Sequence, residues 1–182
     1  MNDQRYTVED LFLLGVTQKK TSTLIRMRLL SKQLTTSEIP FTDELLKQHL
    51  PNVLRTQCYN DDNLPFSVEV RNTEIGHLFE HVLLEYLCQL KIAKGAAQAE
   101  YSGRTKWNWV RDPRGTFSIR LSCGKKDADI FPLALEKTIE LMKIVLQHNQ
   151  EALFVSALRP QRNGQKNGKR LRKNYSPKVI SR

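Results

Sequence analysis

Residues 74–95 read EIGHLFEHVLLEYLCQLKIAKG, and this stretch of the 182-residue chain decides the fold. Its apolar residues fall on nearly every side of a helix, which is the pattern of a helix buried in a protein core. Asn72 or Thr73 can cap the start, and Gly95 is the residue type that commonly follows a helix end. The sequence therefore predicts a buried central helix from about Glu74 to Lys94.

Strands and further helices are predicted on both sides of this central helix. Two elements, 8–16 and 22–30, come first and are joined by the turn QKKT. A helix at 41–56, interrupted at Pro51, and a strand at Phe66–Val70 follow them before the central helix. After it come an antiparallel strand pair, 98–109 and 116–123, around DPRG, and a last helix from near Asp129 to about Gln147. This order predicts an α+β fold, a mainly antiparallel sheet with two or three helices packed on one face.

The positive charge of the chain is concentrated at its C-terminal end. The net charge is +10, and nine of the 29 basic residues lie in 159–182, which contains no Asp or Glu. The first 158 residues therefore hold 20 basic and 19 acidic residues and are nearly neutral. We expect one α+β domain over 1–158 and a disordered basic tail over 159–182. The tail would tether the protein to a polyanion such as RNA, or to an acidic partner, or would only aid solubility.

Cysteine usage and hydropathy point to a protein without disulfides or membrane spans. Three cysteines, an odd number without a C-x-x-C pair, indicate neither a disulfide framework nor a thiolate zinc site. The N-terminus has acidic residues where a signal peptide needs positive charge. The chain has no run of 18 apolar residues. We expect a cytoplasmic protein that has no membrane partner.

The central helix carries the pattern H-x-x-E-H at His77, Glu80 and His81. Two imidazoles four residues apart lie on one face of a helix, so both can bind a single zinc ion while Glu80 reaches a water molecule. This order inverts H-E-x-x-H and is the inverzincin pattern. Two other interpretations remain open, a His–Glu–His cluster held by internal hydrogen bonds and a partly solvated polar edge.

The segment EIGHLFEHVLLEYLCQL, followed by YSGRTK and GTFSIRLSC, resembles the N-terminal domain of cyanophycin synthetases over roughly residues 22–147. That domain is in turn similar to metallopeptidase half-units of the pitrilysin and insulysin type. The resemblance implies a zinc-dependent hydrolase that cuts peptide or polyamide bonds, with a cyanophycin-like polymer as a candidate substrate. Synthesis is not expected, because no P-loop or ligase region is present. The alternative is a non-catalytic scaffold or binding module for a polymer, a partner protein or nucleic acid.

The same resemblance implies a third metal ligand, a Glu about seventy residues after the paired histidines. Glu151 stands at that position, and Asp129, Glu136 and Glu140 are further candidates. Sites of this type are usually completed by a second homologous unit, so a homo-oligomer is a candidate arrangement.

Arg104 lies in the segment Ser-Gly-Arg-Thr. Its guanidinium could bind a substrate carboxylate or the oxyanion of a tetrahedral intermediate, which would make it catalytic together with Glu80. The alternative is a structural ion pair with Glu80 or Glu85.

Overall fold

The computed structural model describes residues 3–59 and 64–158, the last eleven of them by backbone alone. Five strands form one antiparallel sheet in the order β1-β2-β3-β5-β4. The strands are β1 Asp3–Val8, β2 Phe12–Gln18, β3 Thr23–Leu29, β4 Gly103–Lys106 and β5 Thr116–Leu121. The α-helices are α1 Thr42–His49, α2 Phe66–Glu69, α3 Ile75–Ala93 and α4 Phe131–Leu158. The predicted α+β class with a mainly antiparallel sheet is confirmed.

One face of the sheet is largely buried and the other largely exposed, and the alternation is clearest in the central strand β3. In β3, Ile25, Met27 and Leu29 are buried, whereas the residues between them are exposed. The rings of Phe12 in β2 and Phe79 in α3 meet edge to face, with their centroids 6.1 Å apart. The helical layer therefore covers the face that carries the apolar residues. We call the exposed face of the sheet the outer face.

The central helix α3 lies directly against the sheet. Gly76 in its first turn has no side chain, and a Cβ atom at that position would overlap the ring of Phe117 in β5. Leu78, Val82 and Leu83 of the same helix are fully buried. The predicted helix over Glu74–Lys94 is confirmed at Ile75–Ala93.

The segment Phe66–Val70, predicted as a strand, is instead a short helix. Phe66 and Val70 are fully buried, whereas Val68 between them is 49% exposed. Phe66 and Val70 are four residues apart, a spacing that puts both on one face of a helix and also on one face of a strand. A run of five residues is too short to distinguish the two. The short helix follows Pro65, which has the extended conformation expected just before a helix start.

The N-terminal prediction missed a strand. Residues 8–16, predicted as one element, span the end of β1, a turn and most of β2. Asp10 in that turn has a positive φ of 53°, a conformation that Asp adopts more readily than most residues. β1 was not expected because its residues are mainly polar and exposed. The last helix extends beyond the predicted end, to Leu158.

The predicted basic tail at 159–182 lies outside the described residues. Among the helices that are described, none is long and apolar enough to cross a membrane.

Candidate metal site beside the central helix

His77 and His81 lie one turn apart on α3, and their ring centroids are 4.8 Å apart. Each ring is held through its Nδ1 atom by a threonine hydroxyl. His77 Nδ1 lies 2.7 Å from Thr73 Oγ1, and His81 Nδ1 lies 3.0 Å from Thr56 Oγ1. Such hydrogen bonds fix the orientation of an imidazole and leave its Nε2 atom available for a metal ion.

The hydrogen bonds of Thr56 decide which nitrogen of His81 carries the proton. The Thr56 hydroxyl donates its only hydrogen to the carbonyl oxygen of Val53, at 2.7 Å. It must therefore accept a hydrogen bond from His81, which places the proton on Nδ1. The lone pair of His81 is left on Nε2, as a metal ligand requires.

Cys58 completes a group of three ligand atoms that sequence reasoning did not find. Its Sγ atom lies 3.5 Å from His77 Nε2. One ligand atom from each of Cys58, His77 and His81 falls within 4.8 Å of the other two. A thiolate and two imidazoles are ligands that zinc commonly takes. The chemistry of the donor set thus fits a zinc ion.

The imidazoles are held in their neutral form by burial. Phe66 of α2 stacks on the His81 ring at a centroid distance of 3.9 Å and an angle of 10°. Burial, helped by the neighbouring His77, lowers the pKa of His81 to about 3. Burial also lowers the pKa of His77, although the charge of Glu69 acts in the opposite direction. Neutral imidazole is the form that binds metal.

Glu80 lies on the same helix but contacts a different partner. Its Oε2 atom accepts a hydrogen bond from Thr105 Oγ1 at 2.5 Å. Gly103, two residues earlier in β4, leaves room for the carboxylate, because a Cβ atom there would lie 2.5 Å from Glu80 Oε1. Burial raises the pKa of Glu80 to about 7, against the opposite effect of the Thr105 hydrogen bond. Such a carboxyl group can exchange a proton near neutral pH.

A cleft of about 470 Å³ brings these side chains together. Cys58, His77, Glu80 and His81 all line it, as does Trp107. Its other charged lining residues are mainly carboxylates: Glu69, Glu74 and Glu100. The candidate ligands and the candidate proton acceptor therefore share one acidic cleft.

Arg104 borders this cleft in the edge strand β4. Gly103 and Thr105, its neighbours in the strand, are the residues that contact Glu80. Arg104 stands in register with the exposed Arg120 of β5, so alternation assigns its side chain to the outer face. Within 3–59 and 64–147, no ion pair joins Arg104 to Glu80 or Glu85.

Of the carboxylates predicted as third ligand, Asp129, Glu136 and Glu140 do not line the cleft. Glu151 belongs to α4, but its side chain lies outside the described residues. Asp129 pairs with Lys94, with 2.6 Å between Oδ2 and Nζ. Glu136 and Glu140 are exposed on α4.

No local pattern in the sequence indicates Cys58 as a ligand. It precedes His77 by 19 residues and lies outside any helix or strand, between the 3₁₀-helix Pro51–Arg55 and α2. Thr56 and Thr73, which contact His81 and His77, also lie in segments outside α3. The fold of these connecting segments brings all three side chains to α3.

A family model described as the cyanophycin synthase-like N-terminal domain matches residues 24–131. The matched range runs from β3 to the start of α4 and contains every residue of the cleft named above. No curated protein and no solved structure is detectably similar to the chain.

Proposed function

The chain belongs to the family of cyanophycin synthase-like N-terminal domains, and from that premise we propose that it is a zinc-dependent hydrolase of peptide or polyamide bonds. The observation that carries the proposal is the group of Cys58, His77 and His81, whose ligand atoms lie within 4.8 Å of one another in the cleft that Glu80 lines. Three protein ligands with one position left open are the arrangement of catalytic zinc sites.

In this proposal Cys58, His77 and His81 hold the zinc ion. The metal supplies Lewis acidity, which polarises a carbonyl group and makes a water molecule more acidic. Thr56 and Thr73 hold the two imidazoles in place, so the ligands are positioned before the metal arrives. Glu151, the third ligand implied by the pitrilysin-type pattern, is replaced in this scheme by Cys58. The similarity to inverzincins then rests on the order H-x-x-E-H in α3.

Glu80 acts as the general base and then as the general acid. Its pKa of about 7 lets it take a proton from the attacking water and pass that proton to the leaving amine. The hydrogen bond from Thr105 fixes the carboxylate in the cleft that the ligand group also lines. Burial of the carboxyl group supplies the raised pKa that a base working at neutral pH needs.

The carboxylates of the cleft favour a substrate with positive charge. Glu69, Glu74 and Glu100 line the same cleft as the ligand group and would attract a cationic side chain. A cyanophycin-like polymer that bears arginine side chains would supply that positive charge. We therefore propose that the protein cleaves an arginine-bearing polyamide internally. That it acts as a homo-oligomer stays a prediction.

The second candidate is a non-catalytic binding or scaffold module of the same family. Two observations favour it: Cys58 is only 3% exposed, and Glu80 is hydrogen-bonded to Thr105. A buried metal and a fixed carboxylate would then serve structure, since structural zinc sites are closed to substrate.

The test compares Glu80→Gln with Glu85→Gln. Glu85 is also a buried carboxyl group of α3, but it accepts a hydrogen bond from Gln89 and does not line the cleft. Zinc content is measured by mass spectrometry, and cleavage is measured on an arginine-bearing poly-aspartate. We expect close to one zinc per chain in all three proteins and a loss of cleavage of at least about 100-fold in Glu80→Gln only.

Wild-type protein without zinc would contradict the metal site, and equal cleavage by the two variants would contradict the role of Glu80. Zinc-loaded protein that binds the polymer without cutting it would establish the scaffold module instead.

A further inference from the structure

The charged residues of the five strands all lie on the outer face of the sheet. Six of them are basic and one is acidic: Arg5, Arg26, Arg28, Arg104, Lys106, Arg120 and Asp3. All seven are exposed. The near neutrality of the first 158 residues therefore conceals a basic surface on one side of the sheet.

The register of the strands sets these side chains in rows. Arg5, Arg26 and Lys106 form one row across the sheet, on every second strand. Arg120 and Arg104 lie side by side in the next row. Residues two apart in a strand are about 7 Å apart, and alternate strands are about 10 Å apart. The outer face thus carries a regular array of cations.

A depression of about 540 Å³ lies within this array. Arg5, Arg26 and Arg28 surround it, and Gly15 is among the residues that line it. Gly15 has no side chain and so adds nothing to the floor of this depression. The space above it is open, because the nearest atom to a Cβ placed there would be the Arg26 carbonyl oxygen, at 4.0 Å. An extended anionic chain could therefore approach the sheet between these arginines.

Within the described residues, one ion pair neutralises part of the outer face. Arg26 pairs with Asp112, with 2.5 Å between Nη2 and Oδ1. Among the residues of known placement, this is the only ion pair that includes a strand arginine of the outer face. Uncompensated arginines on one surface are the footprint of a polyanion-binding site.

We infer that the outer face of the sheet binds the phosphate backbone of a nucleic acid strand without reading its bases. The planar guanidinium group matches the geometry of a phosphate, and five of the six cations are arginines. The strands place no aromatic side chain on the outer face, so base stacking is not expected.

An acidic protein partner fits this surface less well. The core of a protein–protein interface is depleted in charge and rich in large apolar or aromatic residues. The outer face offers only Leu13 and Leu24 as large apolar residues, at 38% and 37% exposure, among its six cations. The nine basic residues of 159–182 add positive charge of the same kind for a long polyanion.

The test measures binding of a labelled oligouridylate of about 20 nucleotides to the full chain by fluorescence anisotropy. The variant Arg5→Gln/Arg28→Gln/Arg120→Gln removes three cations of the outer face. The control Arg55→Gln/Arg71→Gln/Lys143→Gln removes three exposed cations from the helical part of the molecule and leaves the same net charge. Thermal melting establishes that both variants are folded.

We expect the outer-face variant to bind at least about 10-fold more weakly at about 100 mM salt, with a salt dependence that is lower by about 2 in log–log slope. The control should bind within about 2-fold of the wild type, since the three cations that it lacks lie away from the proposed nucleic acid site. Equal weakening by both variants, or no salt-dependent binding by the wild type, would overturn the inference. So would tighter binding of poly-glutamate than of oligouridylate, which would indicate an acidic polypeptide.

Discussion

The candidate metal site combines ligands from a helix with one from a connecting segment. His77 and His81 are fixed by the helix, while Cys58 depends on the segment that precedes α2. A thiolate binds zinc more tightly than a neutral ligand does, because it contributes a full negative charge to the ion. In the proposed zinc site, Cys58 is therefore expected to contribute most to the affinity.

The first prediction concerns this thiol. We expect Cys58→Ser to lower the zinc affinity at least about 10-fold, because the hydroxyl group does not ionise as the thiol does. The matched variant Glu151→Gln should retain the affinity of the wild type. Competition with a chromogenic chelator measures both values. Loss of zinc from Glu151→Gln alone would establish the pitrilysin-type ligand set instead.

The spacing of α3 was enough to predict two of the three candidate ligand residues, His77 and His81. The helical period puts His77 and His81 on one face whatever the rest of the chain does. Cys58, Thr56 and Thr73 reach the pair only through tertiary structure, and no short pattern links them to it. A single cysteine without a nearby partner does not indicate a ligand, which is why the mixed set was missed.

Asp127 is the buried carboxylate that connects three segments of the chain. It accepts hydrogen bonds from Lys91 Nζ at 3.0 Å and from Tyr101 Oη at 2.8 Å. Burial alone would raise the pKa of Asp127, but these hydrogen bonds, with that from the Gly124 N–H, hold the pKa below its usual range. Because the native pKa of Asp127 is lowered, its carboxylate is protonated at a higher pH in the unfolded chain than in the folded protein.

The second prediction follows from the sign of that pKa change. The stability that Asp127 contributes is complete above about pH 4 and is lost as the pH falls through the native pKa. Asp127→Asn should therefore lower the free energy of unfolding by about 2–3 kcal/mol at pH 7, and by less at pH 3. Urea unfolding at the two pH values measures this. Asp112→Asn, at a surface ion pair, should cost under about 1 kcal/mol, and an equal cost for both would contradict the prediction.

At the level of elements, the position of α3 depends on close contact with the sheet. Gly76 brings the first turn of the helix against Phe117 of β5, and Gly103 brings β4 against Glu80. The histidines and Glu80 lie in the same part of α3, so this contact also sets the distance between the site and the sheet.

The third prediction tests that contact. Gly76→Ala should lower the free energy of unfolding by about 1–3 kcal/mol, because the new methyl group overlaps the Phe117 ring and pushes the helix outward. Gly15→Ala is the matched control, since its methyl group would have open space above the outer face. Chemical unfolding of both variants measures the difference. A Gly76→Ala protein as stable as the wild type would show that the helix is not held by this contact.

Long elements were predicted better than short ones. α3 has 19 residues of consistent apolar pattern, and its ends were found to within about one residue. α2 has four residues, which is too few for a period to be recognised, and packing of Phe66 and Val70 selects the helix. β1 is held by its pairing with β2, and its mainly polar sequence gives no sign of that pairing.

On the scale of the whole molecule, the described core is complete before the basic segment begins. Its buried apolar residues run from Val8 to Leu146. The fourth prediction is that a chain ending at Leu158 melts within about 2 °C of the full chain, because no described core contact is removed. Circular dichroism measures both melts. A loss of cooperative melting would show that residues 159–182 belong to the folded domain.

The distribution of charge could not be predicted from composition. Counting residues gave a nearly neutral body, since acidic and basic residues balance over the first 158 positions. Only the register of five strands shows that the strand cations share one face, while Glu69, Glu74 and Glu100 line a cleft on the helical side. Sequence reasoning found no folded basic surface because its members come from four separate strands.

The Thr105 hydroxyl and the Arg104 guanidinium are adjacent in β4 yet serve opposite sides of the sheet. This strand therefore has a basic surface on one side and an acidic cleft on the other. Close to a polyanion, the protein would turn its strands toward that surface and its cleft toward the solution. Arginine-bearing chains could then enter the cleft from the solution while the other side stays occupied.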